Sequence, residues 1–247
     1  MRNLTLPQLI ELWNPDDATS AHWRLEPLLA AAASSGDDIG ADTLGRRNQR
    51  LLRFHQSLTS LPMAARSRCL SCATDNEFVV PVAAILACPT PKQETTIALR
   101  SQRKQLRFRV PIMADLRTVI GLAREQTRAA LASACLVAGN ATALTSQVLA
   151  RLDRKLEAID PAARILLDLD CAECGVKLCV QVDVAEIVSS TVDSLVEKAV
   201  REVHVLASAY GWSERAILKM PASRRLRYLA LATASSPHAA RVRAVPS

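Results

Sequence analysis

Two Cys-x-x-Cys pairs constrain the fold of this chain more than any other feature of its sequence. They are Cys69/Cys72 and Cys171/Cys174, separated by an offset of 102 residues. The same offset produces four further identities, which align Val80 with Val182, Val82 with Val184, Ala83 with Ala185 and Ile85 with Ile187. Six identities without a gap in a 17-residue window exceed what composition would usually produce. The sequence therefore predicts two related cysteine-hairpin units.

The two pairs predict a metal site. A Cys-x-x-Cys turn presents two thiolates on one knuckle, and a tetrahedral zinc ion needs four ligands. We expect one structural zinc ion held by the four cysteines named above, although the gap between the pairs is far longer than in compact zinc ribbons. Gly175 follows the second pair at a position that favours positive φ, whereas the first pair has Ala73 there. Turn cysteines that bind no metal, and a redox pair, are the alternatives.

The total of seven cysteines is odd, which argues against a disulfide framework and favours a reducing compartment. Cys135 lies on an apolar helix face and is predicted to belong to the core. Cys88 and Cys179 are unassigned, and Cys179 is a possible replacement for a knuckle thiol.

The composition predicts an α+β fold that is predominantly helical, because alanine, leucine and arginine are abundant and aromatic residues make up 3% of the chain. Two small β-hairpin units carry the cysteine pairs. The predicted regions are an N-terminal helical region (1–60), the first cysteine unit (61–112), a helical region (113–165), the second cysteine unit with a long helix and basic helices (166–234), and a disordered tail (235–247).

Hydrophobic periodicity predicts the principal elements. Strands are expected at 78–86, with 106–111 as a candidate partner, and at 178–184. Helices are expected at 42–58 with Asp42 as its N-cap, at 114–136, at 145–159 and, most clearly, at 188–210.

Positive charge is concentrated at the C-terminal end. Residues 201–247 carry eight basic and two acidic side chains, whereas residues 1–200 carry 23 basic and 22 acidic ones. Such a segment attracts acidic protein faces, anionic lipid or phosphate backbones, although a solvated helix face has the same composition. Aromatic stacking residues do not alternate with these arginines, which argues against a nucleic-acid partner.

Sequence motifs of catalysis are missing. The chain contains no glycine-rich phosphate loop and no paired histidines at helical spacing. We therefore expect a protein that is not an enzyme and that has no small-molecule substrate. No apolar run approaches the ~20 residues that span a bilayer, so we expect no membrane partner.

The C-terminal segments are similar to a known family. Residues 202–214 read E-V-H-V-L-A-S-A-Y-G-W-S-E, and residues 223–229 read S-R-R-L-R-Y-L. This order, after a Cys-x-x-Cys-Gly knuckle, a strand and a long helix, resembles the C-terminal half of the T4-type phage baseplate protein family of contractile tails and related injection machines. The family string is close to E-V-H-x-L-A-x-x-Y-x-W-S-E followed by S-R-R-x-x-Y-L. About sixty residues match closely.

The resemblance implies a non-enzymatic role in assembling the baseplate around its hub, as a structural component or an assembly chaperone. Its partners would be other tail and baseplate proteins, in the cytoplasm of a bacterial host or in the finished tail particle. The alternative is a zinc-ribbon nucleic-acid-binding protein that uses the basic C-terminal segment.

Within the matching segments, the residue types predict a structural corner and a basic face. Tyr210 and Tyr228 are expected to bury large areas, Gly211 to end the long helix, and Ser213 to cap the next helix. The full predicted corner is Tyr210, Gly211, Trp212, Ser213, Glu214 and Tyr228. The predicted partner-binding residues, projecting from the last helix, are Arg224, Arg225 and Arg227.

Overall fold

The computed structural model describes residues 1–14, 20–92, 94–101 and 104–234. The described residues form a mostly helical α+β protein with small antiparallel sheets, which confirms the predicted class. The predicted disordered tail at 235–247 lies outside the described residues. In the described part of the chain, no helix combines the length and the apolarity needed to cross a membrane.

The secondary-structure elements are numbered in chain order. The helices are α1 (Leu6–Leu12), α2 (Ala21–Arg24), α3 (Glu26–Ala32), α4 (Leu44–Leu58), α5 (Val82–Ala87), α6 (Met113–Leu116), α7 (Arg124–Ala134), α8 (Ser146–Ile159), α9 (Val184–Tyr210), α10 (Glu214–Lys219) and α11 (Ala222–Ala234). The strands are β1 (Ala64–Arg68), β2 (Asp75–Val79), β3 (Thr96–Ser101), β4 (Lys104–Arg109), β5 (Leu136–Ala138), β6 (Ile165–Asp170) and β7 (Lys177–Val182). They pair as β1-β2, β3-β4-β5 and β6-β7.

The chain divides into two compact units. The knuckle unit comprises residues 1–3 and 19–189 and contains both cysteine pairs, and the helical unit comprises residues 4–18 and 190–247. Helix α1 therefore belongs with the C-terminal helices, where the Trp13 indole N–H donates a hydrogen bond to the Asp193 carboxylate at 2.8 Å. Each unit is thus assembled from segments that are distant in sequence.

One hydrophobic cluster of the knuckle unit lies between the three-stranded sheet and α8. Alternation along β3 and β4 places Leu99, Leu106 and Phe108 on one face, where they pack with Val148 and Leu152 of α8. The candidate pairing of the 106–111 strand with 78–86 is wrong, because β4 pairs with β3 and β5. Strand β3 has the same alternation of apolar and polar residues as β4.

Three of the expected helices have different boundaries, and the helix expected at 188–210 begins earlier, at Val184. The segment 114–136 is divided between α6, α7 and β5, with Gly121 at φ +80° between the two helices. The N-cap of α4 is Thr43, whose hydroxyl accepts from the Arg46 amide at 3.3 Å, and not Asp42. The carboxylate of Asp42 instead accepts from the Arg50 guanidinium at 2.7 Å.

Each repeat is a hairpin followed by a helix. Strand β2 ends at Val79 and α5 begins at Val82, while β7 ends at Val182 and α9 begins at Val184. The expected strands at 78–86 and 178–184 are therefore too long, and the identities after these strands belong to helix starts. The change of structure falls at Pro81, which precedes α5 and lacks an amide donor, and at Asp183, whose carboxylate accepts from the Glu186 amide at 3.1 Å.

Candidate functional site

The four cysteines of the two pairs lie together in the knuckle unit. Cys69 and Cys72 occupy the turn between β1 and β2, and Cys171 and Cys174 occupy the turn between β6 and β7. All four Sγ atoms lie within 4.8 Å of one another. The cluster that the sequence predicted is therefore formed, across about a hundred residues of chain, and Cys179 is not part of it.

The sulfur positions suit a tetrahedral ion. The Cys69 and Cys174 Sγ atoms are 3.7 Å apart, and those of Cys72 and Cys171 are 3.6 Å apart. A zinc ion bound to four thiolates at ~2.3 Å has sulfur–sulfur edges of ~3.8 Å. Four thiolates leave no coordination position open, which is the arrangement of structural rather than catalytic zinc sites.

The two knuckles have the same backbone hydrogen bonds. In the first knuckle the Cys69 amide donates to the Thr74 carbonyl, and the Ala73 amide donates to the Cys69 carbonyl, both at 2.9 Å. The residues 102 positions later make the same two bonds at the same length. The internal repeat in the sequence is therefore a repeat of local geometry.

Both knuckles close through a left-handed residue. The backbone φ is +70° at Gly175 and +60° at Ala73, which among the described residues is the one non-glycine residue with positive φ. A left-handed backbone costs an L-residue with a Cβ ~1–2 kcal/mol. The alanine therefore does not prevent the first knuckle from forming, but it strains it.

The two close sulfur contacts between the knuckles are equivalent under the internal repeat. Adding or subtracting 102 converts the pair Cys69–Cys174 into the pair Cys171–Cys72, and the two distances differ by only 0.1 Å. The knuckles therefore face each other with approximate two-fold symmetry. An ion at the centre of the cluster would draw two ligands from each knuckle.

Asn76 links the knuckles and was not identified from the sequence. Its side-chain oxygen accepts from the Ala172 amide of the second knuckle at 2.9 Å, and its amide group donates to the Thr74 carbonyl at 3.1 Å. The side chain is 7% exposed. In the sequence Asn76 stands between Asp75 and Glu77, so nothing in the pattern separates it from an ordinary polar strand residue.

The surroundings of the second knuckle shift the pKa values of its two thiols in opposite directions. Amide groups of Cys174 and Glu173 donate to Cys171 and lower the pKa of its thiol to about 6. The Val176 amide lowers the pKa of Cys174, but burial and the neighbouring thiols outweigh it and raise that pKa to about 11. The two thiols of this knuckle therefore differ in acidity, and Cys171 is the more acidic of the two.

The remaining cysteines have other surroundings. Cys135 is buried, as expected for a core residue, and burial raises the pKa of its thiol to about 12. Cys88 is half-buried and Cys179 is exposed. The structure therefore divides the seven cysteines into one cluster of four, one core residue and two separate thiols.

The three aromatic residues of the predicted corner contact one another in the helical unit. The Tyr210 and Trp212 rings stack with centroids 4.7 Å apart, and the Tyr228 ring meets Trp212 edge-on at 4.8 Å. The Tyr210 hydroxyl donates to the Tyr228 carbonyl at 3.3 Å. The tyrosines do not bury the large areas expected, because Tyr210 is 36% exposed and Tyr228 is half-buried.

The helix break beside these rings has the expected chemistry. Gly211 has φ +68°, and its amide donates to the Ala207 carbonyl at the end of α9 at 2.8 Å. The Ser213 hydroxyl caps α10 by accepting from the Ala216 amide at 3.3 Å, and Glu214 lies in the first turn of α10.

The three predicted partner-binding arginines have different environments. Arg225 is 8% exposed and does not project, because its guanidinium donates to the Glu202 carboxylate at 3.0 Å and to the Met220 carbonyl at 2.8 Å. Arg227 is exposed. Arg224 is exposed and donates to the Tyr228 hydroxyl at 3.4 Å. Helical spacing decides these differences, since neighbouring residues of a helix face different directions.

Comparisons with known proteins add no relative. A scan against family models, a search of curated proteins and a search of solved structures return no match for this chain. Function must therefore be argued from the residues and their geometry.

Proposed function

We propose that this chain is a non-enzymatic assembly protein of a phage-type contractile tail, which acts in building the baseplate around its hub. The observation that carries the proposal is the packing of the baseplate-like string in the helical unit. Glu202 near its start pairs with Arg225 near its end, and Tyr210, Trp212 and Tyr228 form one aromatic cluster. The residues that define the resemblance therefore support one another physically.

This packing makes the corner a rigid support for α11. Each aromatic pair contributes ~0.5–1.5 kcal/mol beyond the area that it buries. The buried guanidinium of Arg225 and the carboxylate of Glu202 stay hydrogen-bonded only while α9 and α11 keep their arrangement. The corner thus sets the position of the solvent-facing residues of α11.

The exposed residues of α10 and α11 favour a protein partner over a nucleic acid. Arg215 and Lys219 of α10 and Arg224 and Arg227 of α11 are exposed. Leu226, which stands between Arg224 and Arg227 in the sequence of α11, is 53% exposed. Exposed apolar area stabilises a protein interface but gains little from a phosphate backbone, whereas the arginines attract an acidic face. We therefore favour an acidic protein surface as the partner of this basic face.

We further propose that the four-cysteine cluster binds one zinc ion with a structural role. The all-thiolate ligand set, the sulfur spacing and the closed coordination support zinc. Such an ion would join the β1-β2 hairpin to the β6-β7 hairpin within the knuckle unit.

A capture experiment tests the assembly role. The tagged full chain is expressed with the tail genes that neighbour its own gene, and the bound proteins and nucleic acid are both quantified. Reversing two charges of the basic face, with Arg224→Glu and Arg227→Glu, should reduce capture of a tail protein at least tenfold. Arg225 is left intact because it holds the corner.

The matched control reverses two exposed charges of α4, with Arg46→Glu and Arg53→Glu. This control has the same net charge as the test variant and should capture the partner like the wild type. Equal loss in both variants would point to net charge alone. Recovery of nucleic acid without tail proteins, decreasing steeply as salt rises, would overturn the proposal in favour of phosphate binding.

A further inference from the structure

Besides the cluster of sulfur atoms, a hydrogen-bonded path through a side chain joins the two knuckles. It runs from the Thr74 carbonyl of the first knuckle through the side chain of Asn76 to the Ala172 amide of the second, with bonds of 3.1 and 2.9 Å. Thr74 also accepts from the Cys69 amide, and Ala172 directly follows Cys171. The path therefore begins at a residue that is hydrogen-bonded to Cys69 and ends at the residue that follows Cys171 in the chain.

We propose that Asn76 is a positioning residue that holds the two knuckles in register for the metal. This inference rests on the zinc centre proposed above. Without metal, the sulfur atoms provide only weak contacts between the hairpins, and ionised thiolates would repel one another. The Asn76 side chain keeps the second knuckle beside the first, so less conformational freedom is lost when an ion binds.

The second knuckle has no counterpart of the Asn76 side chain at the equivalent position of the internal repeat. The residue 102 positions after Asn76 is Leu178, whose side chain has no group that can accept or donate a hydrogen bond. The approximate two-fold symmetry of the sulfur atoms therefore does not extend to the groups around them. One asparagine serves both knuckles, and its removal leaves no equivalent bond across the symmetry axis.

The expected effect is set by the lost hydrogen bonds. Outer groups that orient metal ligands typically contribute 10–100-fold to metal affinity. Ala172 is exposed, so water can replace the lost acceptor, and the effect should lie at the low end of this range. Asn76→Leu should therefore weaken zinc binding about 10-fold.

The test measures zinc affinity of the full chain by competition with a chromophoric chelator, for wild type and Asn76→Leu. Hydrogen exchange at the Ala172 amide is followed in the same samples, and its protection should be lost in the variant. A protein in which Asn76 merely fills space would show neither change.

The matched control removes a buried side-chain amide group that lies outside the two knuckles. Gln49 is 4% exposed and donates to the Ile85 carbonyl at 3.1 Å and to the Cys88 carbonyl at 2.8 Å. Gln49→Leu should lower thermal stability while leaving zinc affinity within twofold of wild type. A similar loss of affinity in both variants would show that general destabilisation is responsible, and would overturn the role of Asn76.

The outcomes separate the two proposals. Wild type that binds zinc tightly, with Asn76→Leu equally tight and Ala172 still protected, contradicts the positioning role alone. Wild type that binds no zinc removes the metal centre and the positioning role together.

Discussion

The two units of this protein hold separate segments of the chain together by different kinds of contact. The knuckle unit joins hairpins about a hundred residues apart through four sulfur atoms and one asparagine. The helical unit joins α9 to α11, only about twenty residues apart, through an aromatic cluster and a part-buried ion pair. The distant contact brings together four thiols whose spacing suits one metal ion, whereas the local contact uses ordinary packing. This difference predicts different responses to substitution.

The largest effect should follow loss of either cysteine pair. Cys171→Ser with Cys174→Ser should abolish zinc binding and lower the stability of the knuckle unit by several kcal/mol, because metal-binding energy is folding energy. Cys69→Ser with Cys72→Ser should do the same, since both pairs contribute to one site. Metal analysis and denaturant unfolding provide the measurements.

The control for these pairs is Cys88→Ser with Cys179→Ser, which removes two thiols outside the cluster. It should retain one zinc ion per chain. If each pair bound its own ion, removing one pair would leave half of the zinc, and the shared centre would be wrong.

In the helical unit, the largest effect should come from Arg225. Arg225→Ala leaves the half-buried Glu202 carboxylate without its partner, and losing a hydrogen bond to a charged group typically costs ~1.5–3 kcal/mol. Arg227→Ala, on the exposed surface two residues away, should change stability by less than ~0.5 kcal/mol. Denaturant unfolding followed by tryptophan fluorescence would compare them, and equal effects would contradict the assignment of Arg225 to the interior.

A smaller effect should distinguish the two knuckle turns. Gly175→Ala introduces a Cβ that meets no atom within 4 Å, so only the left-handed backbone opposes it, at a cost of ~1–2 kcal/mol. Thermal unfolding of the zinc-loaded chain would detect the loss. An unchanged melting temperature would mean that the turn does not hold this backbone conformation in solution.

The smallest effect should be a gain. Ala73→Gly relieves the same strain in the first knuckle, but it increases the entropy of the unfolded chain, so the net stabilisation should be below ~1 kcal/mol. The thermal unfolding measurement used for Gly175→Ala applies here. A destabilised variant would show that the alanine makes contacts that outweigh its strained φ.

Much of the local structure could be predicted from the sequence. The long helix was predicted because Val192, Val196 and Leu206 recur at helical spacing, and all three are buried. The glycine and serine around Trp212 predicted a helix break and a cap, and both are present. These features depend on interactions within a few residues, which periodicity and capping rules describe well.

Two of the predictions that failed concern the choice between equivalent partners. Strand β4 has the alternation of an amphipathic strand, but alternation does not say which strand lies beside it. Three arginines in the four residues 224–227 look alike in the sequence, yet Arg225 is the one that is buried and paired with the Glu202 carboxylate.

The sequence by itself therefore determined the two knuckle turns, the helix pattern and the identity of the four thiols, because each depends on residues close together in the chain. Only the tertiary structure decided that the four thiols converge and that Asn76 connects the knuckles. It also showed that Arg225 is interior and Arg227 is not. Contacts across a hundred residues depend on how the elements pack, and spacing along the chain does not record that packing.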